Sequence, residues 1–295
     1  MYKLNGGVYG YMIILEFKGG LGNQMFQYAF YKSLLYYKRD VKCKVTNEKE
    51  YRPFKLNVFP RIELEYADDA EYEKRLLQYI NRKFVNKIIN KMFSNSRKFY
   101  YHENEKRIFD KKLYKFDDII LSGYFQNEAY FKMIKKQIKD DFLFPYGEEK
   151  LQNFVAALSE KSVSIHIRRG DYLDYPQLYG NICTLNYYHR AIEYINNRTK
   201  ADYIVFSNDI EWAKKNLNLS KVTYVEKKMF DKYDDWYDIY IMSKCHHNII
   251  ANSSFSWWGG WLNEHSDKIV VAPPYLDNRY KYKRLACDDW VVIKG

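Results

Sequence analysis

A chain of 295 residues that is 47% apolar and 19% aromatic can bury one large core or two ordinary ones. It has no apolar run near the roughly 18 residues a membrane-spanning helix needs. Its four cysteines (Cys43, Cys183, Cys245 and Cys287) are too widely spaced for zinc-type pairs and read as reduced thiols of a cytosolic protein. The net charge of +11 is uneven, +9 over residues 1–150 against +2 over 151–295, so the first half either meets an anionic surface or acceptor or is a solvated basic face.

In chain order, residues 1–11 read as an extension ahead of a first core strand, 12–17 (MIILEF), which is too short for a signal segment and is interrupted by Glu16 and Lys18. KGGLGNQ then opens a helix from about Asn23 to Tyr37. Gly20 and Gly22 permit close backbone approach by a ligand, with a tight turn as the plainer account. Asn23 and Gln24 put two amides at the helix entrance, suited to a hydroxyl-rich ligand such as a sugar. From Lys74 to Met92 an apolar stripe recurs at helical spacing, with Lys74, Arg75, Arg82, Lys83, Lys87 and Lys91 on the other faces; such a helix packs on its own domain or rests on a membrane surface. The run 118–125 (DIILSGYF) and a helix over 127–139 form a further strand–helix unit. Pro145 and Gly147 then mark a boundary between domains 1–147 and 148–295.

The second half alternates strands (163–167, 203–206, 222–225, 248–251, 269–272) with helices (185–197, 210–216, 234–244, 254–264). That rhythm predicts a parallel sheet wrapped by helices, in which ligands bind at the carboxyl ends of strands. Three polar loops lie at such ends. The first follows SVSIHI and carries His166, Arg168, Arg169 and Asp171. Two adjacent guanidinium groups repel unless something negative is present; Asp171 can partner one, which leaves the other for a phosphate-like oxyanion. The second carries Asn208 and Asp209, which either cap the next helix or hydrogen-bond a base or ribose. The third, Asn252, Ser253, Ser254, Phe255 and Ser256, opens a helix whose free N–H groups and positive dipole end suit an anion. Trp257, Trp258 and Trp261 follow and read largely as core. Asp68–Asp69 and Asp234–Asp235 read as solvated or capping carboxylates. A site that grips phosphate with arginine and a helix entrance needs no Mg²⁺, so no metal is expected.

GGLGNQMFQYAF (19–30), HIRRGDY (166–172), FSND (206–209) and SSFSWWGGWL (253–262) together resemble the inverting α-1,2-fucosyltransferases. The combination, in this order over residues 19–262, is specific, although no single piece is. The resemblance implies an α/β fold of GT-B type, with two Rossmann-like domains facing a cleft: an acceptor-side domain at 1–147 and a GDP-sugar-binding domain at 148–295. It implies GDP-L-fucose as donor, a glycan hydroxyl such as O2 of a terminal galactose as acceptor, and neither cofactor nor required metal. In the related peptide O-fucosyltransferases and α-1,6-fucosyltransferases the first arginine of the corresponding motif holds the donor β-phosphate, which by similarity is Arg168. The serines that contact the diphosphate there correspond to Ser253 and Ser254, and the asparagine near the acceptor to Asn23. The tail after Ala272 is short, so the resemblance does not carry over a closing helix back across the cleft.

For the general base, Asp171 leads unless it is tied to Arg169 as a structural pair. His166 is next unless it is a core imidazole, and Asn23 orients the acceptor hydroxyl. A transferase using another GDP-deoxyhexose fits the same residues. A nucleic-acid binder, suggested by the basic half and 31 tyrosines, lacks any RNA-module signature, and its tyrosines are dispersed. The basic half also suits a lipid-linked glycan at the inner membrane face, with the protein cytoplasmic or peripheral there.

Overall fold

The structure, a computed structural model, describes residues 12–46, 53–77, 80, 100–103, 108–280 and 285–295. A first parallel sheet has the order β2-β1-β4-β3, with β1 at Ile13–Phe17, β2 at Val41–Val45, β3 at Tyr100–His102 and β4 at Ile119–Ser122. A second parallel sheet has the order β10-β9-β8-β5-β6-β7. Its strands are β5 (Ser162–Ile167), β6 (Asp202–Ser207), β7 (Val222–Tyr224), β8 (His247–Ile249), β9 (Val270–Ala272) and β10 (Val291–Val292). The chain runs outward from β5 through β6 to β7, then restarts at β8 on the other side of β5. The gap between β5 and β8 is therefore the switch point of the second sheet, and that between β1 and β4 is its counterpart in the first. Open α/β sheets bind ligands at such points.

Side-chain alternation decides what each strand faces. In β5, Val163, Ile165 and Ile167 enter the core under helix α7 (Leu185–Asn196), while Ser162, Ser164 and His166 take the opposite face. There Ser164 Oγ accepts from Asn248 Nδ2 at 2.7 Å, and Ser162 Oγ accepts from the His246 N–H at 3.1 Å. In β1, Ile13, Leu15 and Phe17 face helix α1 (Leu21–Tyr36), and Met12 and Ile14 face a smaller cluster with Ala67 and Ile120. Helix α2, residues 69–77, closes that side through Tyr72 and Leu76.

Helix α10 (Ser254–Leu262) connects β8 to β9 of the second sheet yet packs against α1 of the first half. Trp257, Trp258 and Trp261 are all buried. Phe26 of α1 lies 4.6 Å from Trp257 and 4.8 Å from Trp258 between ring centroids, and Phe131 lies 5.5 Å from Trp261. Trp258 Nε1 donates to the Gly22 carbonyl at 2.9 Å. One aromatic core thus runs through both halves, and α1 is buried nearly all round because it has the sheet on one side and α10 on the other.

The second-half strands and helices appear where expected to within a few residues; α8 is Ile210–Asn216 and α9 is Trp236–Lys244. The helix expected over 127–139 is instead two 3₁₀ turns, Glu128–Tyr130 and Lys132–Ile134, followed by α3 at Lys135–Asp141. Burial of Tyr130, Phe131 and Ile134 against α1 and the tryptophans outweighs helical continuity there. The sequence reading has no β2, β3 or β10, nor the short helices α4 (Glu149–Ala156), α5 (Gly170–Leu173) and α6 (Pro176–Tyr179). In the tail, β10 pairs with β9, the Leu285 carbonyl accepts from Trp257 Nε1 at 2.9 Å, and Asp288 lies 3.2 Å from Lys132 of the first half. Residues 1–11 and most of the 74–92 stripe lie outside the described residues. Of the described part, Leu76 packs inward and Arg75 pairs with Glu71 and Asp118, while Leu77 is exposed.

A Cβ at Gly22 would lie 2.6 Å from Phe255 N and 2.7 Å from Ser254 C, both backbone atoms that cannot step aside. Gly22→Ala is expected to force α1 and α10 apart and cost about 1–3 kcal/mol, as overpacking does. Lys55→Ala, which removes an ion pair to Asp234 and Asp235, is expected to cost within about 1 kcal/mol. Urea unfolding of the two variants checks this, and equal midpoints would contradict the packing argument.

Candidate active site

The three polar loops of the second sheet do converge. Two tyrosines of α7 hold the strand ends: Tyr188 OH donates to the His166 carbonyl at 3.2 Å and Tyr187 OH to the Ile250 carbonyl at 2.6 Å. Tyr172 OH donates to the Asn252 carbonyl at 3.0 Å, tying the β5 loop to the mouth of α10. Ser253 is the N-cap of α10, its Oγ accepting from Phe255 N at 3.3 Å. Phe255 lies over the His166 ring at 5.9 Å.

The loop after β1 meets this mouth. Ser254 Oγ donates to Asn23 Oδ1 at 2.7 Å, and Gln126 Nε2 donates to the same oxygen at 2.8 Å. Asn23 therefore joins the loops after β1 and β4 to α10 of the other sheet. Gly19 makes the turn with φ of +82°, a conformation other residues rarely adopt.

Both guanidinium groups have carboxylate partners, which corrects the expectation that one is left unpaired. Arg168 Nη2 lies 2.8 Å from Asp171 Oδ1, and Arg169 Nε lies 3.0 Å from Asp209 Oδ2. Asp171 is thus paired to Arg168, not to Arg169. Arg169 also lies over the Trp212 ring at 4.2 Å, and its backbone N–H donates to Asn208 Oδ1 at 2.9 Å. Asp209 caps α8, accepting from Trp212 N at 3.1 Å. Asn208, Asp209 and Trp212 therefore hold Arg169. Arg168 lies over Tyr172 at 5.6 Å, and its pair with Asp171 engages a single nitrogen of a fork with five N–H donors.

Several expected contact residues turn inward. Gln24 is fully buried; its Nε2 donates to the carbonyls of Gly19 and Pro53, and its Oε1 accepts from Lys55 N. Asn252 Nδ2 donates to the Leu276 carbonyl at 2.9 Å. Ser256 Oγ accepts from Ala251 N and donates to the Ser253 carbonyl. These three brace the loops rather than face a ligand. Gly20 is the N-cap residue of α1, and Gly22 is committed to the contact with α10. Gln126, which orients Asn23, was missed; its only sequence signal was its place at a strand's carboxyl end.

His166 is buried, and Nδ1 has no hydrogen-bond partner. Burial, helped by the Arg168 charge, pushes its pKa down to about 3. A buried imidazole held neutral in this way is a poor proton acceptor, which counts against His166 as the base.

The sequence matches the profile of Glycosyl transferase family 11 over residues 12–294. The Escherichia coli "O-antigen biosynthesis glycosyltransferase WbnK" is 30% identical, covering 93% of this chain and 98% of that protein. An E. coli "Alpha-1,2-colitosyltransferase" is also 30% identical, over 96% and 99%. Among solved structures, an Arabidopsis thaliana FUT1 variant in complex with GDP superposes with a TM-score of 0.52 at 11% identity, over 94% of this chain and 73% of that one, a likeness of fold alone.

The folded protein keeps His166 neutral down to about pH 3, whereas an unfolded imidazole protonates near pH 6.5. Its contribution to stability is therefore complete above pH 6.5 and is lost as pH falls toward 3. Between pH 6 and 4, a His166→Gln variant is expected to lose stability with falling pH more slowly than the wild type, by about 1 kcal/mol per pH unit. Urea unfolding across that range measures it; parallel curves would show that His166 is protonated in the folded state.

Proposed function

Given that the chain belongs to Glycosyl transferase family 11, we propose that it transfers L-fucose from GDP-L-fucose to a glycan hydroxyl. The acceptor position is O2 of a terminal galactose, the anomeric carbon is inverted, and no metal is required. The observation that carries this reading is the meeting of Arg168 with the α10 mouth at the switch point of the second sheet, bridged to the first sheet by Ser254 and Asn23. Arg168 lies over Tyr172, whose hydroxyl holds Asn252 just ahead of Ser253–Ser254, and on this reading Arg168 and the helix entrance receive the charge that develops on a departing diphosphate. Cationic and N–H donors of that kind do the work a divalent cation does elsewhere, which supports the metal-independent reading. The acceptor then approaches from the first-sheet rim, beside Asn23 and Gln126.

A second donor has a specific observation behind it. The colitosyltransferase relative matches nearly end to end. Colitose is L-fucose without its 3-hydroxyl, so one hydrogen-bonding group separates the two donors. A pocket built to bind that hydroxyl rejects the deoxy sugar strongly, whereas one that does not bind it barely distinguishes them.

The deciding assay is GDP release with GDP-L-fucose and GDP-colitose, each with a galactoside acceptor and with or without EDTA. Turnover with GDP-L-fucose, undiminished by EDTA, is expected. Turnover confined to GDP-colitose would pass the assignment to the second donor, and loss with EDTA would overturn the metal-independent reading. Arg168→Ala is expected to lower kcat about 10²–10³-fold. Arg168→Lys is expected to fare little better, because an ammonium cannot fork across a diphosphate. Near-normal turnover in either variant would remove Arg168 from the role.

The relative named for O-antigen biosynthesis supports a lipid-linked or growing surface polysaccharide as the acceptor class, and a peripheral position on the inner membrane face. The apolar stripe at 74–92, with its flanking lysines and arginines, is the contact this reading assigns. Reversing the charges of Arg82, Lys83, Lys87 and Lys91 is expected to abolish sedimentation with anionic vesicles; equal pelleting of variant and wild type would end that assignment.

A further inference from the structure

The transfer proposed above inverts the anomeric carbon, so the acceptor oxygen arrives on the sugar face opposite the diphosphate. The diphosphate belongs to the second-sheet rim, and the group that takes the acceptor's proton therefore belongs to the first-sheet rim. Neither sequence candidate stands there: Asp171 is paired with Arg168 on the leaving-group side, and His166 is a buried neutral imidazole.

The carboxylates near the first-sheet rim are unequal. Glu16 accepts from Tyr72 OH at 2.8 Å and Tyr100 OH at 3.1 Å, and Lys18 lies 3.5 Å away. Glu128 accepts from Trp261 Nε1 at 2.9 Å, with Lys135 at 3.5 Å. Glu103, at the carboxyl end of β3, differs. Its Oε2 accepts from the N–H groups of Tyr124 and Phe125 at 2.8 and 3.1 Å, while its Oε1 is buried with no hydrogen-bond partner among the described residues. The residue is only 7% exposed. An unsatisfied buried carboxylate oxygen costs free energy and calls for an explanation.

Its position supplies one. The turn that Oε2 holds runs from Gly123, where a Cβ would meet Glu103 Cβ at 2.4 Å, through Phe125 at a strained φ of +50°, to Gln126. Gln126 donates to Asn23, which in turn accepts from Ser254 at the α10 mouth. Tyr124 of the same turn lies 3.1 Å from where a Gly19 Cβ would be. The unpartnered oxygen is thus built onto the turn that carries the first-sheet rim to the nucleotide side.

We propose that Glu103 is the general base, Oε1 being the oxygen that receives the acceptor proton. As the acceptor oxygen bonds to the anomeric carbon, its hydrogen passes to Oε1. The bond from the anomeric carbon to the β-phosphate oxygen breaks, and its electron pair leaves on GDP beside Arg168. Glu103 afterwards releases the proton to water. Asn23 and Gln126 are positioning residues that hold the acceptor hydroxyl against it.

This inference rests on the proposed transferase reading, and the experiment separates the two. If wild-type protein releases no GDP from either GDP-sugar with acceptor, the transferase reading falls. With wild type active, Glu103→Gln tests the base, because the amide oxygen still holds the turn. The expected result is a loss of about 10²-fold or more in kcat. KM for donor and acceptor, the GDP Kd by calorimetry and the unfolding temperature should stay close to wild type. Azide, which needs no deprotonation, should restore GDP release by the variant and yield the glycosyl azide of inverted configuration. Turnover within threefold of wild type overturns the proposal. So does a loss that azide does not restore, or one accompanied by weaker GDP binding or a lower unfolding temperature, each of which makes Glu103 a structural cap.

Discussion

The candidate site depends on one close approach, the backbone of α1 at Gly22 against the first turn of α10. No side chain fits between them, and the Gly22 carbonyl is bound by the indole of Trp258. This contact turns two sheets into one core and brings the loop after β1 within hydrogen-bond distance of a helix entrance coded some 230 residues later. Ser254 and Asn23 then meet across the two sheets without a long bridging loop.

Electrostatics refine what packing arranges. Arg168 and Arg169 are neighbours in sequence, yet each has its own carboxylate, and Arg169 lies over Trp212 besides. The carboxylates offset the mutual repulsion of two adjacent cations in the absence of an anion. They also orient each guanidinium, which is what a bidentate oxyanion site requires. Beside them, His166 stays neutral because its imidazole is desolvated and faces a fixed positive charge. The second rim thus holds two arginine–carboxylate pairs beside a buried, uncharged imidazole. The buried carboxylates Glu16 and Glu103 lie on the first rim.

Elements with a strong repeating pattern could be read from the chain directly. The strands of the second sheet, α8 and the placement of RRGD, SND and NSSFS at strand ends follow from apolar alternation and capping residues, which are local properties. The first half was less legible. β2 reads VKCKV, two of its five residues lysine, and is a strand because β1 offers it an edge. The stretch after Asn127 breaks into 3₁₀ turns because Tyr130 and Phe131 are drawn into the shared aromatic core.

By itself, the sequence determined the fold class and the polar residue types at the strand ends, because strand periodicity and helix capping act over a few residues. Only the tertiary structure decided which of those polar groups are available. Gln24, Asn252 and Ser256 look like ligand contacts in the chain and are consumed as braces. Glu103 lies in a segment with no motif, yet it holds a turn and has a carboxylate oxygen to spare. A hydrogen bond is satisfied by whatever the fold brings within about 3 Å, and that depends on partners up to 231 residues apart, as between Asn23 and Ser254.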